Sequence, residues 1–385
     1  MPNRERASSA LTLTSFQQVT AALSESARHS SQRAFVESGA ELTVGYISAC
    51  PLPLDELKRL TSDDPRVMSY FGGGLTGEVF CLEIDRQRYS IKRRLPAARV
   101  ANLDGQYSFL TEVQRRADFT HLKQDPATAS AFSHIVDTLF ASFGHGIMVS
   151  PWIEGAPMAE LNERTIGQTL DAIVNMELAG LFEWDLCPGN LIDDGERIWL
   201  FDFGYCWPFN PLTEFNNNST RDPLFHGVER FETRNLFAHL LRLELADQHE
   251  AALDTYRICK AQAVRTGQRK LAELRRLGAS HQIQDWQARL VMRWQDALAG
   301  QSALEDLYVV EGYRSHLLDV LDDLHGKSCT PMTLRRIDAV EAILRDQFAL
   351  LQRQNGLFFG DEERDQQQLL AINAERRLLA QRFQL

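Results

Sequence analysis

The chain has 385 residues, more than one compact core of ordinary size accommodates, so two or three lobes or domains are expected. A hydrophobic fraction of 44% and a charged fraction of 24% are those of an ordinary globular protein, and a net charge of −11 disfavours nonspecific binding to nucleic acid or anionic membrane. Six cysteines without a C-x-x-C pair suit a reducing, cytoplasmic setting, and no run of about 18 apolar residues is available to cross a bilayer.

Residues 1–50 read as a poorly ordered leader. Ser, Ala and Thr dominate its first part, with Arg4, Arg6, Arg28 and Arg33 among them, and only residues 11–23 have the character of a short helix. A secretion or organelle address is the alternative to a plain loose terminus, although no basic segment followed by an unbroken apolar core is present. Next, PLPLDELKRLTSDDP at 51–65 predicts a short helix, with proline early and Asp-Asp-Pro as a stop, set on the edge of the sheet that follows.

Residues 67–71 and 79–84 have strand character and flank a glycine-rich stretch. Gly72, Gly74, Gly77 and Val79 satisfy G-x-G-x-x-G-x-V, with Gly73 between the first two. Three glycines alone mean no more than a hairpin. Here, however, a strand follows the last glycine, whereas a dinucleotide-binding fingerprint opens a helix at that point. Without side chains, such a flap lets backbone amides approach phosphate oxygens. Asp85-Arg86-Gln87 then turns the chain into a third strand, Tyr89-Ser90-Ile91-Lys92, whose bland alternative is a solvated basic edge shared with Arg93 and Arg94.

A helix is expected over 105–119, where Glu112 stands twenty residues after Lys92 and Asp118 is the rival carboxylate nearer the end. A strand-like segment around Met148 leads into Ser150-Pro151-Trp152-Ile153-Glu154-Gly155. Residues 165–181 carry apolar side chains at Ile166, Leu170, Ile173, Val174, Leu178 and Leu181, the spacing of an amphipathic helix stopped at Gly180.

That helix delivers the chain into FEWDLCPGNLIDDGERIWLFDFGYC, residues 182–206. Asp185 precedes Asn190 by five residues; Asp193-Asp194-Gly195 is a turn between two apolar runs; Asp202-Phe203-Gly204 ends the second. Such a hairpin sets Asn190 beside Asp202. One carboxylate next to a nucleophile, with a carboxamide and a second carboxylate able to hold Mg²⁺ against a polyphosphate, is phosphoryl-transfer chemistry. An ordinary surface hairpin is the alternative for either motif alone.

Taken in order, the glycine flap, Lys92, Glu112, the 150–155 link, D-x-x-x-x-N and D-F-G resemble the protein-kinase-like superfamily. The resemblance implies an α+β, bilobal fold: a small antiparallel N-lobe sheet with one main helix, a mostly helical C-lobe, and here extra C-terminal helices. It implies boundaries at 51–150 for the N-lobe, 151–300 for the C-lobe and 301–385 for a helical extension. It also assigns roles. Asp185 accepts or orients a hydroxyl proton, Lys92 grips ATP phosphates and is braced by Glu112, and Asn190 and Asp202 hold Mg²⁺. The amides of Gly72, Gly73, Gly74 and Gly77, with Val79, cover the nucleotide, and Met148 lies near its pocket. The implied activity is an ATP- and Mg²⁺-dependent kinase acting on an alcohol group.

Departures from the family pattern concern the acceptor. Trp184 stands where many protein kinases have arginine, which argues against switching by loop phosphorylation. No A-P-E closes the loop-like segment 205–231. Cys187 replaces the usual lysine or histidine, so Asp-Leu-Cys-Pro-Gly-Asn looks closer to small-molecule and lipopolysaccharide-sugar kinases; a neutral filler is the plain reading of that cysteine, a redox role the other. The N-lobe spelling favours a protein Ser/Thr acceptor, with a small-molecule or sugar hydroxyl as the alternative. A pseudokinase or nucleotide-binding scaffold is a further alternative, as is another ATP chemistry such as adenylylation. Apolar stripes at Leu334, Ile337, Val340, Leu344, Phe348 and Leu351, and at Leu369, Leu370, Leu378, Leu379 and Phe383, suit core packing more than docking of a protein partner through the C-terminal helices.

Overall fold

The computed structural model of the protein describes residues 24–385, so the short helix expected at 11–23 lies outside the described residues. The rest of the expected leader is not loose. Helix α1 (Glu25–Glu37) and strand β1 (Thr43–Gly45) occupy it. Tertiary contacts explain the difference, since composition alone makes this a weak helix. Ser24 caps α1 by accepting from the Ala27 amide, Gln32 is buried and donates to Thr111 Oγ1 at 2.9 Å, and Phe35 meets Phe143 edge to face. Arg28 and His29 both reach Asp104 Oδ1 at 2.7 Å, and the Arg28 guanidinium also lies 3.9 Å over the Trp207 ring.

Helix α2 (Leu54–Lys58) precedes the strands β2 (Val67–Phe71), β3 (Gly77–Ile84) and β4 (Gln87–Arg94). Helix α3 (Leu103–Gln124) comes next, capped by Asn102, and then β5 (Phe140–Ser142) and β6 (Ile147–Pro151). These strands form an antiparallel sheet in the order β1-β5-β6-β4-β3-β2. Alternation along each strand separates its two faces. Phe80, Leu82, Ile91, Ile147 and Val149 pack on one face with Leu57 and Leu60. Helix α2 thus covers a face of the sheet rather than its edge, because Leu57 and Leu60 need apolar area that an edge does not provide. On the other face, Met148 and Ala141 pack with Phe109 and Val113 of α3.

The second lobe begins with β7 (Ala156–Pro157) and α4 (Glu163–Leu178), which carries an Asn162–Thr165 capping box. The left-handed Gly180, φ 80°, ends this run and feeds β8 (Leu181–Glu183). The hairpin strands β9 (Leu191–Asp193) and β10 (Ile198–Leu200) turn at Gly195, φ 95°, and β9 also pairs with β7. Strand β11 (Cys206–Pro208) pairs with β8, so the segment after D-F-G is not all loop. It continues to α5 (Gly227–Phe231), a π-helical turn over Glu232–Leu236 and α6 (Phe237–Glu244).

Long helices complete the chain: α7 (His249–Arg276), α8 (His281–Leu298), α9 (Gln301–Gly326), α10 (Pro331–Arg353) and α11 (Gln366–Arg382). An antiparallel sheet with one main helix, joined to a mostly helical second part, is the α+β fold of the chain, and it is consistent with the two-lobed arrangement expected above. Ile337, Val340, Leu344 and Leu351 of α10 are core, as their spacing predicts. The α11 stripe divides: Leu369 is buried, but Leu378 and Leu379 face solvent at 68% and 44% exposure. Among the described residues, no helix is long and apolar enough to cross a membrane.

Between α7, α9 and the π turn lies a buried charge network. Lys260 bridges Glu232 and Glu311, Arg314 also reaches Glu232, and Tyr256 donates to Glu311 Oε2 at 2.6 Å. Two carboxylates and two cations balance, which is the condition under which buried ions are tolerated. Lys260→Met leaves Glu232 and Glu311 facing each other with one cation fewer, and is expected to cost about 3–5 kcal/mol. Urea unfolding followed by circular dichroism measures this; a loss below about 1 kcal/mol is incompatible with the ionised network.

Candidate active site

The flap is built by the β2–β3 connection. A Cβ on Gly74 would sit 2.2 Å from the Gly77 carbonyl oxygen, so the turn admits glycine alone. One on Gly77 would lie 3.1 Å from Lys92 Cε, which shows how closely the flap backbone approaches the lysine. Arg99 ties the flap down, donating from Nη1 to the Gly72 carbonyl at 3.1 Å and from its amide to Leu75 O at 2.7 Å. Gly73 has open space around it. Val79 pairs across the sheet with Phe71 on one side and Lys92 on the other.

Lys92 is the meeting point. Its ammonium lies 2.6 Å from Glu112 Oε2 and 2.8 Å from Asp202 Oδ2. Glu112 is buried and also holds Arg116 at 3.0 Å, whereas Asp118 pairs with Arg115 and stands apart. Burial pulls the Lys92 ammonium pKa down, but Asp202 and Glu112 outweigh it and hold the value above the usual lysine range. Burial likewise pushes the Asp202 carboxyl up, and Lys92 more than offsets this, so its pKa lies below the ordinary range. Asp202 remains 38% exposed and, while Oδ2 meets the lysine, carries a second oxygen available to a cation.

Asp202 adopts a left-handed conformation, φ 63°. Aspartate tolerates this region better than most residues, but it still carries strain of the order of 1 kcal/mol, a cost typically retained at functional sites. Its neighbour explains the hold. Phe203 is buried against Phe119 of α3, ring centroids 4.5 Å apart, with the Arg116 guanidinium 5.7 Å above it.

Hairpin register brings Asn190 alongside the D-F-G turn: Leu191 pairs with Leu200, and the Phe201 amide donates to Asn190 O at 3.2 Å. The Asn190 side-chain nitrogen donates to the Asp185 carbonyl at 2.9 Å, with Asp185 Oδ2 at 3.3 Å. That leaves the Asn190 carboxamide oxygen as the atom it could offer to a cation. A carboxylate oxygen and a carboxamide oxygen, from the residues just after β10 and just before β9, are hard donors of the kind Mg²⁺ takes. Met148 pairs directly with Lys92 across β4 and β6, yet it is buried among Phe109, Val113 and Ala141, on the wall behind the lysine. Toward the interlobe link, Phe71 of the flap strand stacks on Trp152 with centroids 6.3 Å apart.

Two residues here have no signal in the sequence spacing. Arg234, from the π turn, places Nε and Nη2 each 3.0 Å from Asp185 Oδ1. Glu183, directly before Trp184-Asp185, is buried and accepts the Asp185 amide at 2.7 Å through Oε1. Burial, with the nearby charges of Asp185, Asp202 and Glu112, pushes the Glu183 carboxyl well above its ordinary value, against a smaller lowering by the Asp185 amide. Burial also raises the Cys187 thiol, which favours the neutral side chain over a reactive thiolate.

No protein-family model matches this chain, and no curated protein matches its sequence. Among solved structures it is similar to three of WbdD. One is a crystal structure of WbdD, with 18% identity over 37% of this chain and 34% of that one, TM-score 0.28. Another is of WbdD described as a bifunctional kinase-methyltransferase, 19% identical over 37% and 35%, TM-score 0.27. The third is a co-crystal of WbdD with the kinase inhibitor LY294002, 19% identical over 46% and 37%, TM-score 0.31. The chain spans about a third of the length of those proteins.

Because the native state favours a neutral Glu183, its contribution to stability is fully present below the unfolded pKa of about 4.3 and is lost as pH rises through the elevated folded value. Glu183→Gln keeps the acceptor for the Asp185 amide without an ionisable group. The variant is expected to match the wild type near pH 4 and to exceed it increasingly toward pH 8. Denaturant midpoints at the two pH values test this, and a parallel pair of curves refutes it.

Proposed function

We propose that the protein transfers the γ-phosphoryl group of ATP to a hydroxyl. The observation that carries this reading is the Lys92 ammonium held between Glu112 and Asp202, beneath a glycine flap, with Asn190 at the other foot of the hairpin that leads into Asp202. Each part has work in such a transfer, which depends on positioning and charge rather than on covalent chemistry by the protein. Backbone amides of Gly72 to Gly77 cover the phosphates, and Lys92 neutralises their charge. Mg²⁺, when bound by Asn190 and Asp202, supplies neutralisation at the β- and γ-phosphates. Asp185 receives the hydroxyl proton as the new P–O bond forms and the bond from the γ-phosphorus to its bridging oxygen breaks, releasing ADP.

For the acceptor, the reading taken is a protein Ser/Thr hydroxyl, on the flap and lysine spelling of the N-lobe. A specific observation supports a small-molecule or sugar hydroxyl as the second reading. Phe209, Phe215 and Phe225 are buried, and Asn216 donates to the Asp222 and Phe225 carbonyls, so the segment following D-F-G is folded onto its own lobe rather than laid out as a peptide platform. Incubating a cell lysate with γ-labelled ATP and the enzyme, then separating protein from small molecules, discriminates the two by where the label appears. Mass measurement of the protein itself separates phosphoryl transfer from adenylylation and from a scaffold without turnover.

Lys92→Ala and Asp202→Ala are each expected to reduce ATP turnover at least about 100-fold, several kcal/mol of barrier, with the far-ultraviolet circular dichroism unchanged. Wild-type turnover in either variant defeats the assignment.

A further inference from the structure

Position 187 of the loop that carries Asp185 is a half-buried cysteine, so the loop brings no cation to its own carboxylate. Arg234 brings one from elsewhere, forty-nine residues along the chain. Its Nε and Nη2 both engage Asp185 Oδ1 at 3.0 Å, which leaves Oδ2 on the side of Asn190. A carboxylate with one oxygen locked by a guanidinium presents the other in a fixed direction.

The arginine is in turn held from behind. Its Nη1 donates to Asp319 Oδ1 of α9, and Asp319 Oδ2 forms an ion pair with the Arg336 guanidinium of α10, 2.8 Å from Nε. Arg336 Nη2 also donates to the Thr233 carbonyl at 2.8 Å, within the same π turn that carries Arg234. The string Asp185, Arg234, Asp319, Arg336 alternates in sign and sums to zero. One turn earlier, Arg230 repeats the device: Nε donates to the Trp184 carbonyl at 3.1 Å and Nη2 to Asp322 Oδ2 of α9 at 2.8 Å. Each arginine therefore joins one residue of the Trp184-Asp185 pair to one carboxylate of α9. π turns frequently mark functional sites in helices, and this one carries the residue in question.

We propose that Arg234 is the positioning cation of this active site, taking the part that the loop leaves vacant at Cys187, and that α9 and α10 set its position through Asp319 and Arg336. The inference rests on the phosphotransfer reading above. Helices after residue 300 are then a working part of the catalytic apparatus, and whatever moves α9 relative to the loop changes turnover.

The test measures ADP release, ATP affinity and thermal midpoint for the wild type, Arg234→Gln, Arg234→Lys, Asp319→Asn and Arg234→Gln combined with Cys187→Lys. In Arg234→Gln, kcat is expected to fall roughly 100-fold while ATP affinity stays within about threefold, since the residue acts on the acceptor side and not on the nucleotide. Arg234→Lys and Asp319→Asn are expected to fall between. Lysine at 187, installed in the Arg234→Gln background, is expected to recover at least about tenfold in kcat, which no purely structural role of Arg234 predicts. Unchanged kcat in Arg234→Gln overturns the proposal. So does a loss that tracks the thermal midpoint across the series and is not relieved by lysine at 187; Arg234→Lys and Asp319→Asn extend that comparison if the Gln variant does not fold. A wild type that releases no ADP strikes instead at the phosphotransfer reading, and is told apart because every protein in the series is then silent.

Discussion

One ammonium group ties the parts of this molecule together. Lys92 projects from the central strand β4, Glu112 from the middle of α3, and Asp202 from the turn after β10, and the three meet within 2.8 Å. A lysine in that position, 13% exposed, is too poorly hydrated to remain charged without partners. Two carboxylates on one ammonium would leave an excess of negative charge, and Arg116 supplies the balance by pairing with Glu112. The cluster is thus neutral as a whole while Asp202 keeps one oxygen toward solvent. The sheet, the helix and the D-F-G turn cannot shift independently without leaving a charge unpaired, at a cost of several kcal/mol.

Packing reinforces the same geometry from the apolar side. Phe203 fills the space against Phe119 of α3, and Arg115 from that helix reaches the Cys206 carbonyl at 3.3 Å. Helix α3 is therefore held at its middle by charge and toward its C-terminal half by burial under the second lobe. At its N-terminal end, Asp104 is engaged by Arg28 and His29 of α1, and Arg28 stacks on Trp207. The segment that composition assigns to a loose leader thereby becomes a strap between α3 and β11. Its hold is mainly polar, through a few specific partners, and a hydrophobicity reading has no means of registering that.

What was legible in the sequence was the short-range part. The hairpin that sets Asn190 beside Phe201 follows from two apolar runs and an Asp-Asp-Gly turn, all within about a dozen residues. The flap and lysine follow from glycines at fixed offsets in a strand-turn-strand pattern, and Glu112 from one helix at the expected place, although Leu103–Gln124 outruns the 105–119 expected for it. Arg234 is different in kind. Nothing in E-T-R-N-L distinguishes it from the chain's other arginines, because its meaning comes from Asp185 and Asp319, forty-nine and eighty-five residues away. Glu183 likewise looks like a strand residue until burial gives it an elevated pKa. Spacing reveals groups that one local element presents together; it is silent on ion pairs that only the packing of distant helices creates.

The same consideration explains why the helices after residue 300 cannot be treated as a separable appendage. Glu232 and Arg234 stand two residues apart in the π turn and so point to roughly opposite sides of it. Glu232 faces Lys260 of α7 and Arg314 of α9; Arg234 faces the Asp185 loop and Asp319 of α9. Both strings of charge run through α9, one on each side of the turn, and both balance only when α9 is in place. An interior of this kind is not the most stable one available, since apolar side chains of similar volume commonly do as well or better. What charges add is direction: a guanidinium fixes the orientation of a carboxylate, whereas a leucine fixes only a volume. A helix placed by Asp319 and Asp322 therefore sets the angle at which Asp185 and Trp184 are presented, which hydrophobic packing between the same helices does not specify.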